Sequence, residues 1–156
     1  MKKIILGLLT VCFLACGASK TVRESRKVIK GDWMLSSVSS SAIGDLKITL
    51  LNDSTKDCFE GSNWSFVPNN NTGTYTLNGT GCNDEERNFV FVIDEIDEAT
   101  GLYDFLLKPT DKRGRSEANV GFRMNLTALS DTDMIWTQNA NLDGSNITIS
   151  MKFKKQ

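Results

Sequence analysis

The groups of this chain that could do covalent chemistry are four cysteines, Cys12, Cys16, Cys58 and Cys82, and two runs of carboxylates; there is no histidine. Without an imidazole, neither a Ser-His-Asp triad nor a Cys-His pair can be assembled. Hydrolysis by paired acids needs only two carboxyl groups at a suitable separation. The acids gather at Asp84, Glu85 and Glu86 and at Asp94, Glu95, Asp97 and Glu98. Both runs fall at the ends of predicted strands, where solvated charge is the ordinary outcome. Neither follows the alternating oxygen-ligand spacing, with its glycine, of an EF-hand calcium loop. No catalytic residue, metal site or cofactor is therefore expected, and binding or interaction is the class of function that remains.

The cysteines divide by position. Lys2 and Lys3 precede an apolar run from Ile4 to Leu14, broken only by Gly7 and Thr10. A permanent transmembrane helix needs about 20 apolar residues, so this run is too short to be one. Its length and charge order are those of a secretory signal. Leu14-Ala15-Cys16-Gly17 resembles the lipobox of bacterial lipoproteins. The resemblance implies cleavage before Cys16, acylation of that cysteine and attachment to a membrane. No aspartate follows Cys16 directly, which points to the outer membrane. Residues 1–15 are thus expected to be removed, taking Cys12 with them and leaving 141 of the 156 residues.

Export also decides how the remaining pair is read. Cys58 and Cys82 would meet an oxidising compartment, where an even pair of cysteines usually bridges. Closing a loop of about 25 residues stabilises a fold by roughly 3–4 kcal/mol on the chain-entropy model. The rival is a metal site, but two thiols with no histidine make a poor zinc shell.

Residues 16–30 read as a basic, lipid-anchored linker in which Lys20, Arg23, Arg26, Lys27 and Lys30 stand against Glu24 alone, a net +4. The domain at 31–156 holds 11 basic and 18 acidic side chains, a net −7. An acidic body argues against a nucleic-acid groove, which needs a clustered basic face. The basic segment is expected to be a solvated spacer near anionic headgroups.

The elements that would position any site are strands. Phe122, Met124, Leu126 and Ala128 alternate with Arg123, Asn125 and Thr127, and Ile147, Ile149, Met151 and Phe153 alternate with Thr148, Ser150, Lys152 and Lys154. Period-2 alternation marks strands with one buried face. Shorter patterns occur at Trp33–Val38, Leu46–Leu51, Trp64–Val67, Thr74–Asn78, Asn88–Ile93, Leu102–Leu107 and Met134–Gln138, making nine candidate strands. Asn69-Asn70-Asn71-Thr72-Gly73, Asn78-Gly79 and Asp143-Gly144 carry turn chemistry. Asp53-Ser54-Thr55 could cap a short helical turn running to Phe59; no other stretch carries a persuasive helical period. So many short strands must hide their edges in a barrel or a sandwich. Sequential hairpins with short loops favour an all-β, up-and-down antiparallel barrel of about eight strands.

Gly31-Asp32-Trp33, at the head of the first strand, resembles the Gly-x-Trp signature of lipocalins. A longer likeness to bacterial lipocalin-like lipoproteins runs through Asp57 to Phe66, Asn70 to Tyr75 and Cys82. It continues through Gly121-Phe122-Arg123, Leu129-Ser130 and Met134-Ile135-Trp136, so that it spans roughly residues 31–155. The Thr-Asp-Tyr motif of classical lipocalins is absent. The resemblance implies a barrel floor made by Gly31 and Trp33, with a late cation stacked on the indole. Arg123 is the expected cation, and Lys152 and Lys154 are its rivals. It also implies a cup for a small hydrophobic ligand, lined by Trp64, Phe66, Tyr75, Phe89, Phe91, Phe105, Met124, Trp136 and Met151. Phe153 shares their inward phase. Pattern alone leaves open whether these residues line a cup or fill a solid barrel that serves as an envelope interaction module.

Overall fold

A computed structural model describes residues 20–44, 46–142 and 144–156. The expected signal, the expected acylation site Cys16 and the turn residue Asp143 lie outside the described residues. The barrel strands are β1 (Gly31–Ser40), β4 (Asn63–Val67), β5 (Thr72–Thr76), β6 (Glu86–Ile96), β7 (Tyr103–Thr110), β8 (Phe122–Leu129), β9 (Asp133–Leu142) and β10 (Ser145–Lys155). Each from β4 to β10 pairs antiparallel with the next, and β1 closes the ring by pairing with both β10 and β4. This is the eight-stranded up-and-down barrel that the alternation predicts.

The ninth predicted strand is corrected. Leu46–Leu51 does not join the barrel. Its end forms β2 (Thr49–Leu50), which pairs only with β3 (Ser54–Thr55) outside the barrel sheet. Its apolar residues Ile48, Leu50 and Leu51 are buried in the core even so. They belong to the long β1–β4 connection, which folds over one end of the barrel. α2 (Lys56–Phe59) follows as the sequence predicts, but Thr55 makes no side-chain cap bond. Asp53 instead accepts from the Tyr75 hydroxyl at 2.8 Å and pairs with Arg87 at 2.6 Å, tying the connection to β5 and β6. The disulfide between Cys58 and Cys82 fastens α2 to the β5–β6 connection.

The other end is the floor, and here a second expectation is corrected. Lys20–Ile29, read as solvated spacer, forms the helix α1. Its buried or half-buried positions Thr21, Ser25, Val28 and Ile29 recur at i, i+4, i+7 and i+8, the stripe a docked helix requires. Only Val28 and Ile29 of that stripe are strongly apolar, so hydrophobic periodicity does not reveal the helix. Two barrel side chains satisfy carbonyls of its last turn, which have no partner within a helix. The Trp33 indole donates to the Ile29 carbonyl at 2.9 Å, and the Lys155 ammonium donates to the Val28 carbonyl at 2.7 Å. Ser25 donates to the Gly101 carbonyl at 2.7 Å, holding α1 to the β6–β7 turn. Gly31 links helix to strand at φ +110°, a conformation costly for any residue with a Cβ.

Candidate functional site

The inward phase of each strand from β4 to β10 delivers large apolar residues to one interior. Trp64 and Phe66 come from β4, Tyr75 from β5, Phe89 and Phe91 from β6, Phe105 from β7, Met124 from β8, Trp136 from β9, and Met151 and Phe153 from β10. All are buried. The nine residues expected to line a cup are thus brought together on the inner face. They meet each other across it. Trp64 stacks on Tyr75 with ring centroids 4.5 Å apart, and Trp136 lies 4.4 Å from Phe153, 4.9 Å from Phe105 and 5.4 Å from Trp64. Phe66 bridges to Phe89 at 5.3 Å and to Trp136 at 5.6 Å. Edge-to-face and offset contacts at such distances are favourable packing geometries for aromatic rings.

Both ends of this interior are covered. Phe59 of α2 lies 5.6 Å from Tyr75 and 6.2 Å from Trp64, closing the end under the β1–β4 connection. At the floor, Trp33 is wholly buried beneath α1. The cation over its ring is Lys155, whose ammonium sits 5.0 Å from the indole centroid. This corrects the assignment of that role to Arg123. The alternation of β8 turns Met124 inward and Arg123 outward, so the guanidinium cannot reach the floor. It pairs with Asp94 at 3.1 Å on the exposed face. The rivals are also displaced: Lys154 pairs with Asp133, and Lys152 is exposed.

The polar atoms of the interior are few, and they divide sharply. Trp33 has the Ile29 carbonyl, and the Trp64 indole donates to the Ser62 hydroxyl at 2.8 Å. Trp136 Nε1 and Tyr103 Oη are buried with no hydrogen-bond partner among the described residues. Phe105 links the two, its ring 4.9 Å from Trp136 and 6.2 Å from Tyr103. Burial pushes the Tyr103 hydroxyl well above the usual tyrosine range, against the opposing pull of Ser25 and Arg26 on α1. Tyr103 was not singled out in the sequence, although its phase with Phe105 and Leu107 was there to read.

Outside the barrel wall, β7–β8 pairing stops at Asp104 and Asn125. A cleft of about 840 Å³ opens there, with Ile96 and Leu102 against Asp94, Asp97 and Asp104, and it reaches the inward-facing Tyr103 and Leu126 through the gap between the strands. These carboxylates are engaged within the fold. Asp94 holds Arg123, and Asp104 accepts from the Asn125 amide at 2.7 Å. The backbone N–H groups of Ala99 and Thr100 hold the Asp97 carboxyl below its ordinary range. Among the described residues, no group of three or more cysteine, aspartate and glutamate side chains is placed to hold a metal ion. The arrangement as a whole is an aromatic interior in which the buried Trp136 donor has no acceptor among the described residues.

No protein-family model matches the sequence, and no curated protein matches it. Among solved structures, this chain is similar to a bovine odorant binding protein, solved in complex with a selenium-containing odorant. The two are 10% identical over 90% of this chain and 75% of that one, with a TM-score of 0.43.

Proposed function

We propose that this protein is an envelope lipoprotein, anchored in the outer membrane by acyl chains on Cys16. In this reading its barrel binds a small hydrophobic molecule that carries a hydrogen-bond acceptor. The role is binding without a covalent step. The observation that carries the reading is the buried donor Trp136 Nε1, left without an acceptor among the described residues in an apolar interior. A buried donor without a partner costs about 1–3 kcal/mol. A carboxyl, ester or ketone oxygen on an otherwise apolar body, as in a fatty acid or lipid, would relieve that cost. Because aromatic contacts fill the interior, uptake must displace side chains. Met124, Met134 and Met151, all buried on the inner face, supply unbranched groups that repack readily.

The test is native mass spectrometry and solvent extraction of protein purified from its own membrane, followed by titration with fluorescent fatty acids. A co-purified apolar molecule or saturable uptake is expected. Trp136→Phe, which keeps an aromatic ring and removes the donor, should weaken uptake about tenfold, the worth of one hydrogen bond. A ligand-free barrel that takes up no fatty acid overturns the binding reading. Anchoring is tested separately: Cys16→Ser should shift the protein out of the membrane fraction, and unchanged fractionation would refute the lipobox.

A second reading is favoured by the closure of both barrel ends. A solid barrel would act as an interaction module, meeting another envelope protein through its rim or acidic wall. Crosslinking in cells followed by pull-down would recover one specific partner if this reading holds.

A further inference from the structure

We infer that α1 is a membrane-docking face. Its exposed cations, Lys20, Arg23, Arg26 and Lys27, with Lys30 just past its last residue, contact the anionic lipid headgroups of the bilayer that holds the protein, so that the barrel stands with its floor end towards the membrane. The inference rests on the proposed anchor at Cys16.

Three observations converge on it. The first is rigidity. The Trp33 indole, the Lys155 ammonium and the Ser25 hydroxyl bind α1 to the barrel floor. Its exposed face therefore has a fixed direction relative to the barrel axis, and contact at that face orients the whole molecule.

The second is charge. The segment 20–30 carries a net +4, and the domain that follows carries −7. Within the helix only Glu24 opposes the cations, bridging Lys27 at 2.9 Å. The floor end around the helix adds exposed Asp32, Asp97, Glu98 and Asp131, which lie on the neighbouring strand and turns and not on the helix itself. An anionic surface attracts clustered lysine and arginine and repels the acidic wall, so α1 is the end that approaches.

The third is reach. Lys20 lies four residues after Cys16, and four fully extended residues span at most about 14 Å. An acylated Cys16 thus holds the start of α1 close to the headgroups, at a distance comparable to the screening length of about 8–10 Å at physiological ionic strength. One acyl chain binds a membrane only marginally, and a basic patch is a recognised second signal. Here the patch would add orientation to attachment.

The test uses the acylated protein reconstituted into vesicles of phosphatidylcholine alone and of phosphatidylcholine with phosphatidylglycerol. Amine-reactive labelling is read by mass spectrometry at Lys20, Lys27 and Lys30, with Lys112, exposed in the β7–β8 connection at the opposite end, as the internal reference. In the anionic vesicles these three lysines should label roughly tenfold more slowly, as expected for cations held at a charged surface, with Lys112 unchanged. High salt, or Arg23→Glu with Arg26→Glu, should abolish the protection. Equal labelling in both vesicles by protein that stays bound to both overturns the docking face and leaves the anchor intact. Protection of Lys112 to the same extent also overturns it. If the protein leaves the neutral vesicles, the anchor fails, and the docking face then stands or falls on salt-sensitive co-sedimentation with the anionic ones.

Discussion

Tyr75 and Tyr103 are the only tyrosines of the chain, and both are buried on the inner face of the barrel. Burial is the main cause that raises the Tyr75 hydroxyl above the ordinary range. Its hydrogen bond to Asp53 and the charge of that carboxylate add to the rise, and Arg87 opposes it. Tyr103 is raised by burial as well. A group whose pKa is higher folded than unfolded contributes stability that is complete below the unfolded value and lost as pH rises past it. For tyrosine that value is about 10. Alkaline titration should therefore show no phenolate absorbance while the protein stays native. The signal should then appear in one step that coincides with loss of β-sheet circular dichroism. A tyrosine that ionises near its ordinary value in the native protein would contradict the burial of that side chain.

At the scale of elements, β5 leaves no room for a side chain at Gly73, between β4 and β6. A Cβ added to Gly73 would stand 2.2 Å from the Phe89 ring and 2.5 Å from the Ser65 carbonyl. One of these contacts is to backbone, which cannot rotate away. Gly73→Ala should accordingly cost about 1–3 kcal/mol through overpacking, read as a shift in the urea midpoint. A neutral result would mean that Phe89 does not lie across that glycine. The barrel strands were legible in the sequence because each has one buried face, and burial alternates with the pleat whatever the topology. Elements stabilised by other means were not. α1 docks through a serine hydroxyl and through its own last carbonyls, so its inward stripe looks polar. Leu46–Leu51 has a strand's pattern but spends its apolar residues covering the barrel end. At the floor, the phase of Phe122 and Met124 already turned Arg123 outward, whereas the register that sets Lys155 opposite Trp33 depends on closure. The orphaned Trp136 donor was illegible for a similar reason, since a missing acceptor is a property of all its neighbours together.

For the molecule as a whole, the seam between β1 and β10 decides how the protein folds. The other barrel strands join in sequence, each hairpin forming from nearby residues. The seam instead joins the two ends of the domain: Ser36 bonds the Lys152 carbonyl across 116 positions. Until it forms, the Val28 carbonyl of α1 lacks its Lys155 partner, and Leu35 and Phe153, paired across the seam, have no cover. The disulfide, by contrast, spans only 24 positions and encloses the β4–β5 hairpin, joining α2 to the β5–β6 connection. It shortens the unfolded chain locally and leaves the seam to be found by diffusion. Because loop-closure entropy is lost before distant contacts compensate it, folding of such a barrel should take about milliseconds to seconds. Trp33, Trp64 and Trp136 all report on the interior, so stopped-flow tryptophan fluorescence should show one slow cooperative phase. Reducing the disulfide should lower stability by about 3 kcal/mol and leave equilibrium unfolding a single transition. Microsecond folding, or a barrel and floor that melt separately, would mean that closure at the seam does not hold the two ends of the chain together.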